Sequence, residues 1–232
     1  MTQDHHNAQG RYNPDYDDIA FRRPNKYRDM LAQYPRIILP PREARERRGA
    51  WKDGFAALHL EIGCAEGQFL AAQAPQRPGE LFVGVELRFK RVYKAAERAH
   101  FAGLANVQVL RYNASLLADV FAPGEVDFLY VFFPDPWPRE KHRKHRIVQQ
   151  EGLDCWHDLL KPGGVVELKT DHAAYFTQME ETAASDGRFL VTAVSRDLAV
   201  EPHLAAHLAS TRFERLFLGK GCPVHYLQLR RT

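Results

Sequence analysis

Cysteine is scarce in this chain of 232 residues: Cys64, Cys155 and Cys222 stand far apart, with no CxxC pair. Such spacing excludes a disulfide framework and a thiolate zinc site, and fits thiols kept reduced in a cytosol. Long apolar runs are missing too, so no segment reads as a bilayer span. The opening MTQDHHNAQGRYNPDYDD has no apolar core of the kind a secretory signal needs. A soluble, cytoplasmic protein is expected. Net charge is only +3, so no uniform field acts over the surface; the basic residues instead cluster in 36–48 and 139–146. Internal repeats and low-complexity tracts are absent. The apolar fraction, 45%, is enough for a real core.

The chain divides by composition. Residues 1–50 are polar and basic with little periodicity and read as a mobile arm; residues 51–232 read as one folded domain. From Leu58 onward, short β-rich runs follow one another: 58–62, 81–86, 107–112, 126–133 and 164–170. Helical patterns separate them at 67–74, 88–102, 115–120 and 144–160, and a helix at 172–184 precedes two further strand candidates at 188–194 and 224–230. Alternating strands and helices, with strands nearly apolar throughout, predict a largely parallel α/β sheet covered on both faces.

LHLEIGCAEGQFL (58–70) is a strand, a glycine turn and a helix start. Gly63 permits a tight turn and Gly67 a close approach. The G-x-G-x-x-G of dinucleotide folds is not there, which disfavours a nicotinamide oxidoreductase. Taken alone, the loop reads equally as a packing turn. Glu86 ends the second strand, where a carboxylate can accept from ribose hydroxyls. Asn113 ends the third, either as a turn residue or as a ligand contact, its carbonyl accepting from an adenine amino group and its amide reaching a ring nitrogen. Glu61 makes the loop acidic, unlike a pyrophosphate site. An acid-flanked loop suits a cationic, phosphate-free nucleoside such as S-adenosylmethionine.

FFPDPWPREKHRKHR (132–146) is the most unusual stretch. Pro134 and Pro136 restrict the backbone on both sides of Asp135, and Trp137 offers a flat face for a base. Seven of the eight residues from Arg139 to Arg146 are Lys, Arg or His. Arg139, Lys141, Arg143, Lys144 and Arg146 are expected to grip phosphates of a polyanion. His142 with His145 lacks a third ligand in a fixed frame, so no metal is expected.

Together EIGCAEG, VGVE, FFPDPWPREKHRKHRIV, LKPGGVVELKTD and STRFE resemble the bacterial tRNA (guanine-N7-)-methyltransferase family, in the same order from about residue 55 onward. The resemblance implies a class I methyltransferase fold: a Rossmann-like, mostly parallel sheet with helices on both faces and an antiparallel C-terminal strand. It implies S-adenosylmethionine as methyl donor, tRNA as partner, and N7 of the guanine at position 46 of the variable loop as target, in a monomer or homodimer. By motif position, Glu61, Glu86, Asn113 and Asp135 fall in the cofactor pocket, Asp135 also being the catalytic position. Arg139, Asp171, Thr211, Arg212, Phe213 and Glu214 fall at substrate positions, the last four also touching on the cofactor. Asn113 departs from a usual Asp, Arg139 from a usual Lys. Rival readings are a class I methyltransferase acting on another RNA site or a small molecule, and a non-catalytic tRNA-binding protein on the same fold. A small-molecule enzyme has no use for the basic run.

Overall fold

The computed structural model describes residues 25–232. Among the described residues eight strands, numbered in chain order, form one sheet in the order β1-β4-β3-β2-β5-β6-β8-β7. The parallel set is β1 (Ile38–Leu39), β2 (Leu58–Ile62), β3 (Leu81–Glu86), β4 (Val107–Arg111), β5 (Val126–Phe132) and β6 (Leu160–Thr170). β8 (His225–Arg231) inserts antiparallel between β6 and β7 (Phe189–Ser195). The expected mixed sheet is therefore present.

Strand parity decides which layer each side chain joins. Leu58, Leu60 and Ile62 of β2, Leu81, Val83 and Val85 of β3, and Leu129 and Val131 of β5 face one side. There they pack with Leu153, Trp156 and Leu159 of α5 (Gln150–Leu159) and with Tyr175, Phe176 and Met179 of α6 (Ala173–Ser185). The opposite side carries α3 (Gln68–Gln73) and α4 (Phe89–Phe101); Leu70, Val92, Ala95, Ala96 and Ala99 meet Phe82, Val107 and Val109. Phe69 extends that side over Tyr130 and Phe132 of β5. His59 is buried on this side, stacked on Phe82 and Phe128 at 4.2 and 4.6 Å, between Tyr130 Oη and Glu80. Burial pulls its pKa down to about 4.

Several boundaries differ from the sequence reading. Of the expected 1–50 arm, residues 1–24 lie outside the described residues. Residues 25–50 are structured: α1 (Lys26–Met30) and α2 (Pro41–Glu46) flank β1, which pairs with β4, and Ala44 is fully buried. Trp51 is locked by its indole N–H to the Val120 carbonyl at 2.6 Å and by its backbone N–H to Glu125. The expected 144–160 helix is two pieces, a 3₁₀ turn over Glu140–His145 and α5, separated by Arg146–Gln149. The 115–120 segment is also 3₁₀, over Ala114–Asp119.

Candidate active site

Strand order reverses between β2 and β5, which pair in parallel from His59–Phe128 to Ile62–Val131. Ligands in open α/β sheets sit beyond the carboxyl ends of strands at such a reversal. Two adjoining cavities lie there. The larger, about 430 Å³, is lined by Gly63, Glu86, Arg91, Tyr112, Asn113, Phe133, Asp135 and Trp137, among others. The smaller, about 100 Å³, is lined by Glu61, Gly63, Cys64, Ala65, Arg91, Phe133, Asp135, Thr211, Arg212 and Phe213. Gly63, Arg91, Phe132, Phe133 and Asp135 border both.

The glycine loop is built for close turning. Gly63 has φ +76 and its missing Cβ would meet nothing, so the left-handed backbone is its requirement. Gly67 makes the expected close approach, but to a helix and not to a ligand. It is buried, and a Cβ there would lie 2.9 Å from Ala95 Cβ, so its role is the packing of α3 on α4 and not ligand contact. Glu61 ends up 5% exposed, with Oε2 buried and without a hydrogen-bond partner. Burial, and then the Glu86 charge, push its carboxyl up to about 8. An acid held this way is matched by an incoming cation. Glu86 Oε1 accepts from the N–H groups of Leu87 and Arg88 at 2.8 and 2.9 Å, while Oε2 has only Arg91 at 3.4 Å. Its second oxygen is thus available to a hydroxyl. Asn113 takes the turn role: Oδ1 accepts from Ser115 N–H and Oγ–H at 3.0 and 2.9 Å, capping the 3₁₀ turn, so only the expected carbonyl contact to an adenine amino group is corrected. Only its NH₂ is left for a ligand, suited to a ring nitrogen rather than to an amino group.

Asp135 is exposed at the mouth of both cavities, and among the described residues none hydrogen bonds its carboxylate. Its loop is strained: Phe133 and Trp137 have φ of +52 and +41, a region that aromatic residues rarely enter. Trp137 is half-buried, with the His145 and His142 rings 5.2 and 5.8 Å away. Phe133 packs against Phe213 and Phe217 of α7 (Arg212–Leu218) at 5.9 and 5.6 Å.

The basic run splits. Arg139, Lys141 and Lys144 are exposed; Arg143 is exposed but pairs with Glu140 at 2.9 Å. Arg146 is not a surface cation at all. It is 3% exposed and donates to the Pro136 carbonyl, so the expected phosphate contact is corrected to an internal one. Asp171 is exposed just past β6. In the TRFE segment, Thr211 and Glu214 form a capping box at the start of α7, and Glu214 also pairs with the fully buried Lys169 at 2.9 Å. They hold α7 on the sheet. Arg212 and Phe213 are the exposed members and line the smaller cavity. Arg91, Phe133, Tyr112 and His145 were missed. Arg91 is one basic position in an ordinary amphipathic helix, and nothing in sequence marks it as facing a cavity. Among the described residues no group of three His, Cys, Asp or Glu could hold a metal ion.

A parallel sheet whose order reverses, an acid-flanked glycine turn with an unmatched carboxylate, and a second acid ending the next strand define a class I methyltransferase using S-adenosylmethionine. A family model described as a putative methyltransferase matches residues 56–227. The tRNA (guanine-N(7)-)-methyltransferase of Bacillus licheniformis is 32% identical, over 86% of this chain and 93% of that protein. That of Geobacillus kaustophilus is 33% identical, over 84% and 88%. Among solved structures, the 16S rRNA methyltransferase KamB aligns with a TM-score of 0.60 at 17% identity, over 79% of this chain and 92% of that one, which bears on the fold alone. The chain belongs to the tRNA (guanine-N7-)-methyltransferase family.

Proposed function

We propose that this chain methylates N7 of a guanine in tRNA, at position 46 of the variable loop. One observation carries the reading: the cavity holding the unmatched acid Glu61 and the cavity holding Glu86 meet at Asp135. When bound, S-adenosylmethionine supplies an electrophilic methyl group. Glu61 takes its ammonium, Glu86 Oε2 a ribose hydroxyl and the Asn113 NH₂ a ring nitrogen of adenine. The orphaned carboxylate oxygen and the Gly63 turn fit such a molecule. Guanine N7 has a lone pair and no proton, so no general base is needed and the residues act by positioning. Asp135 accepts from guanine N1–H and the N2 amino group together, fixing the base and rejecting adenine. Arg139, Lys141 and Lys144 meet the phosphates, and Arg212 and Phe213 border the entry. No helix among the described residues is long and apolar enough to cross a membrane.

The first test is mass spectrometry of bulk tRNA from cells with and without the gene; unchanged 7-methylguanosine refutes the activity. The second is a cycle of Asp135→Asn against tRNA with inosine at the target, which lacks the N2 amino group. Single-turnover methylation should fall with either change and less than additively with both. Strict additivity removes Asp135 from that edge of the base.

A further inference from the structure

Arg146 occupies a position that no phosphate contact explains. Its guanidinium is buried, 3% exposed, at the junction of the proline-framed loop and α6. Nε donates to the Pro136 carbonyl at 2.8 Å, and an Nη lies 3.5 Å from the Trp137 carbonyl. Its other Nη donates to Gln178 Oε1 on α6. The plane sits over the Tyr175 ring, 4.6 Å from the centroid, and Tyr175 Oη accepts from the Val148 N–H at 3.0 Å. One side chain therefore ties the loop to α6 from the far end of the basic run.

We propose that Arg146 is a positioning residue for methyl transfer: by gripping the carbonyls of Pro136 and Trp137 it holds Asp135 in the geometry the reaction needs. The strain in the loop is what makes this necessary. Phe133 and Trp137 both lie at positive φ on either side of Pro134-Asp135-Pro136. Such backbone persists only where its surroundings over-determine it. Prolines restrict the loop but do not select this conformation, and Asp135 itself has no partner among the described residues to hold it. The planar guanidinium reaches two adjacent carbonyls and an amide oxygen from three separate nitrogens, where the donors of an ammonium all radiate from one atom. The sequence places Arg146 in a run of cations, yet its charge faces inward. Its role rests on the reading of Asp135 given above.

The test is Arg146→Lys, which keeps the charge and removes the fork. The substrate is an unmodified tRNA transcript with guanine in its variable loop. Single-turnover methylation at saturating tRNA and cofactor should fall by about tenfold to a hundredfold, the scale of a small misplacement of a reacting group. tRNA affinity and its salt slope should stay at parental values, because no phosphate contact is lost. Trypsin should cleave faster after Lys141 and Lys144, because the loop is released. Gln178→Leu, which leaves the guanidinium in place but removes one anchor, should show the same pattern more weakly, and serves if the lysine variant fails to fold. An unchanged saturated rate overturns the proposal, as does a loss confined to tRNA affinity with a shallower salt slope. The proteolysis arm does not depend on methylation: if the parent proves inactive on tRNA, faster cleavage still supports the clamp, and unchanged cleavage refutes it.

Discussion

Glu61→Gln should change how the free protein responds to pH, and in a direction opposite to most carboxylate substitutions. In the native state the Glu61 carboxyl titrates near pH 8, against an ordinary value of 4.5. Between those values the folded chain holds a proton there and the unfolded chain does not. Unfolding is then favoured as pH rises, by about 1.4 kcal/mol for each pH unit. The stability this group confers is full below pH 4.5 and has been lost by pH 8, a span of about 5 kcal/mol, with about 3 kcal/mol gone at pH 7. Glutamine does not titrate. It leaves a buried amide to satisfy, at about 1–3 kcal/mol, but that cost does not vary with pH. Urea unfolding of the cofactor-free protein and the variant at several pH values gives the difference curve. Parent stability relative to the variant should decline steadily from pH 5 to 8. A flat difference curve would refute the buried, unmatched carboxyl. Binding gives an independent reading. Near pH 7, pairing Glu61 with an ammonium should expel a proton, seen by calorimetry in buffers of different ionisation enthalpy. The variant should expel none and bind more weakly.

Three further outcomes follow from the geometry. Neutralising Arg139, Lys141 and Lys144 together should weaken tRNA binding and flatten its salt dependence, with cofactor affinity held; an unchanged salt slope would clear these residues of phosphate contact. Lys169→Met should destabilise the fold by about 3–5 kcal/mol, because it strands the buried Glu214 charge; an unchanged urea midpoint would show that Glu214 finds another partner. His59 should remain neutral in NMR titration down to about pH 4, and acid should cost stability between 6.5 and 4, since only the unfolded chain gains that proton there; a midpoint near 6.5 would contradict its burial.

The central strands were legible because parity and burial wrote them plainly: LHLEI and LFVGVE are buried at every position, as a doubly covered sheet demands. β1 was not, since two residues carry no periodicity and its pairing with β4 is a long-range event. Glu61 and Glu86 were singled out from chemistry, an acid next to a glycine turn and an acid at a strand end, and both line the cavities beyond the strand ends. Arg146 was misread because sequence shows a cation's neighbours along the chain and not the α6 side chains that surround it in space. Thr211 and Glu214 carry the T-x-x-E pattern of a helix cap, a local signal that the family resemblance overshadowed. Asn113 likewise spends its carbonyl on a cap.

The position of β8 between β6 and β7 sets an order of assembly. β7 precedes β8 in the chain but among the described residues pairs only with it, so β7 has no seat on the sheet until its successor is in place. β6 meanwhile presents an open edge, a template for pairing with the wrong chain. Folding must therefore hold two strands unsatisfied until a third arrives, a non-local closure of the kind that slows folding and exposes chains to aggregation. Substitutions that weaken β8 will then lower the yield of soluble protein more than its stability once folded.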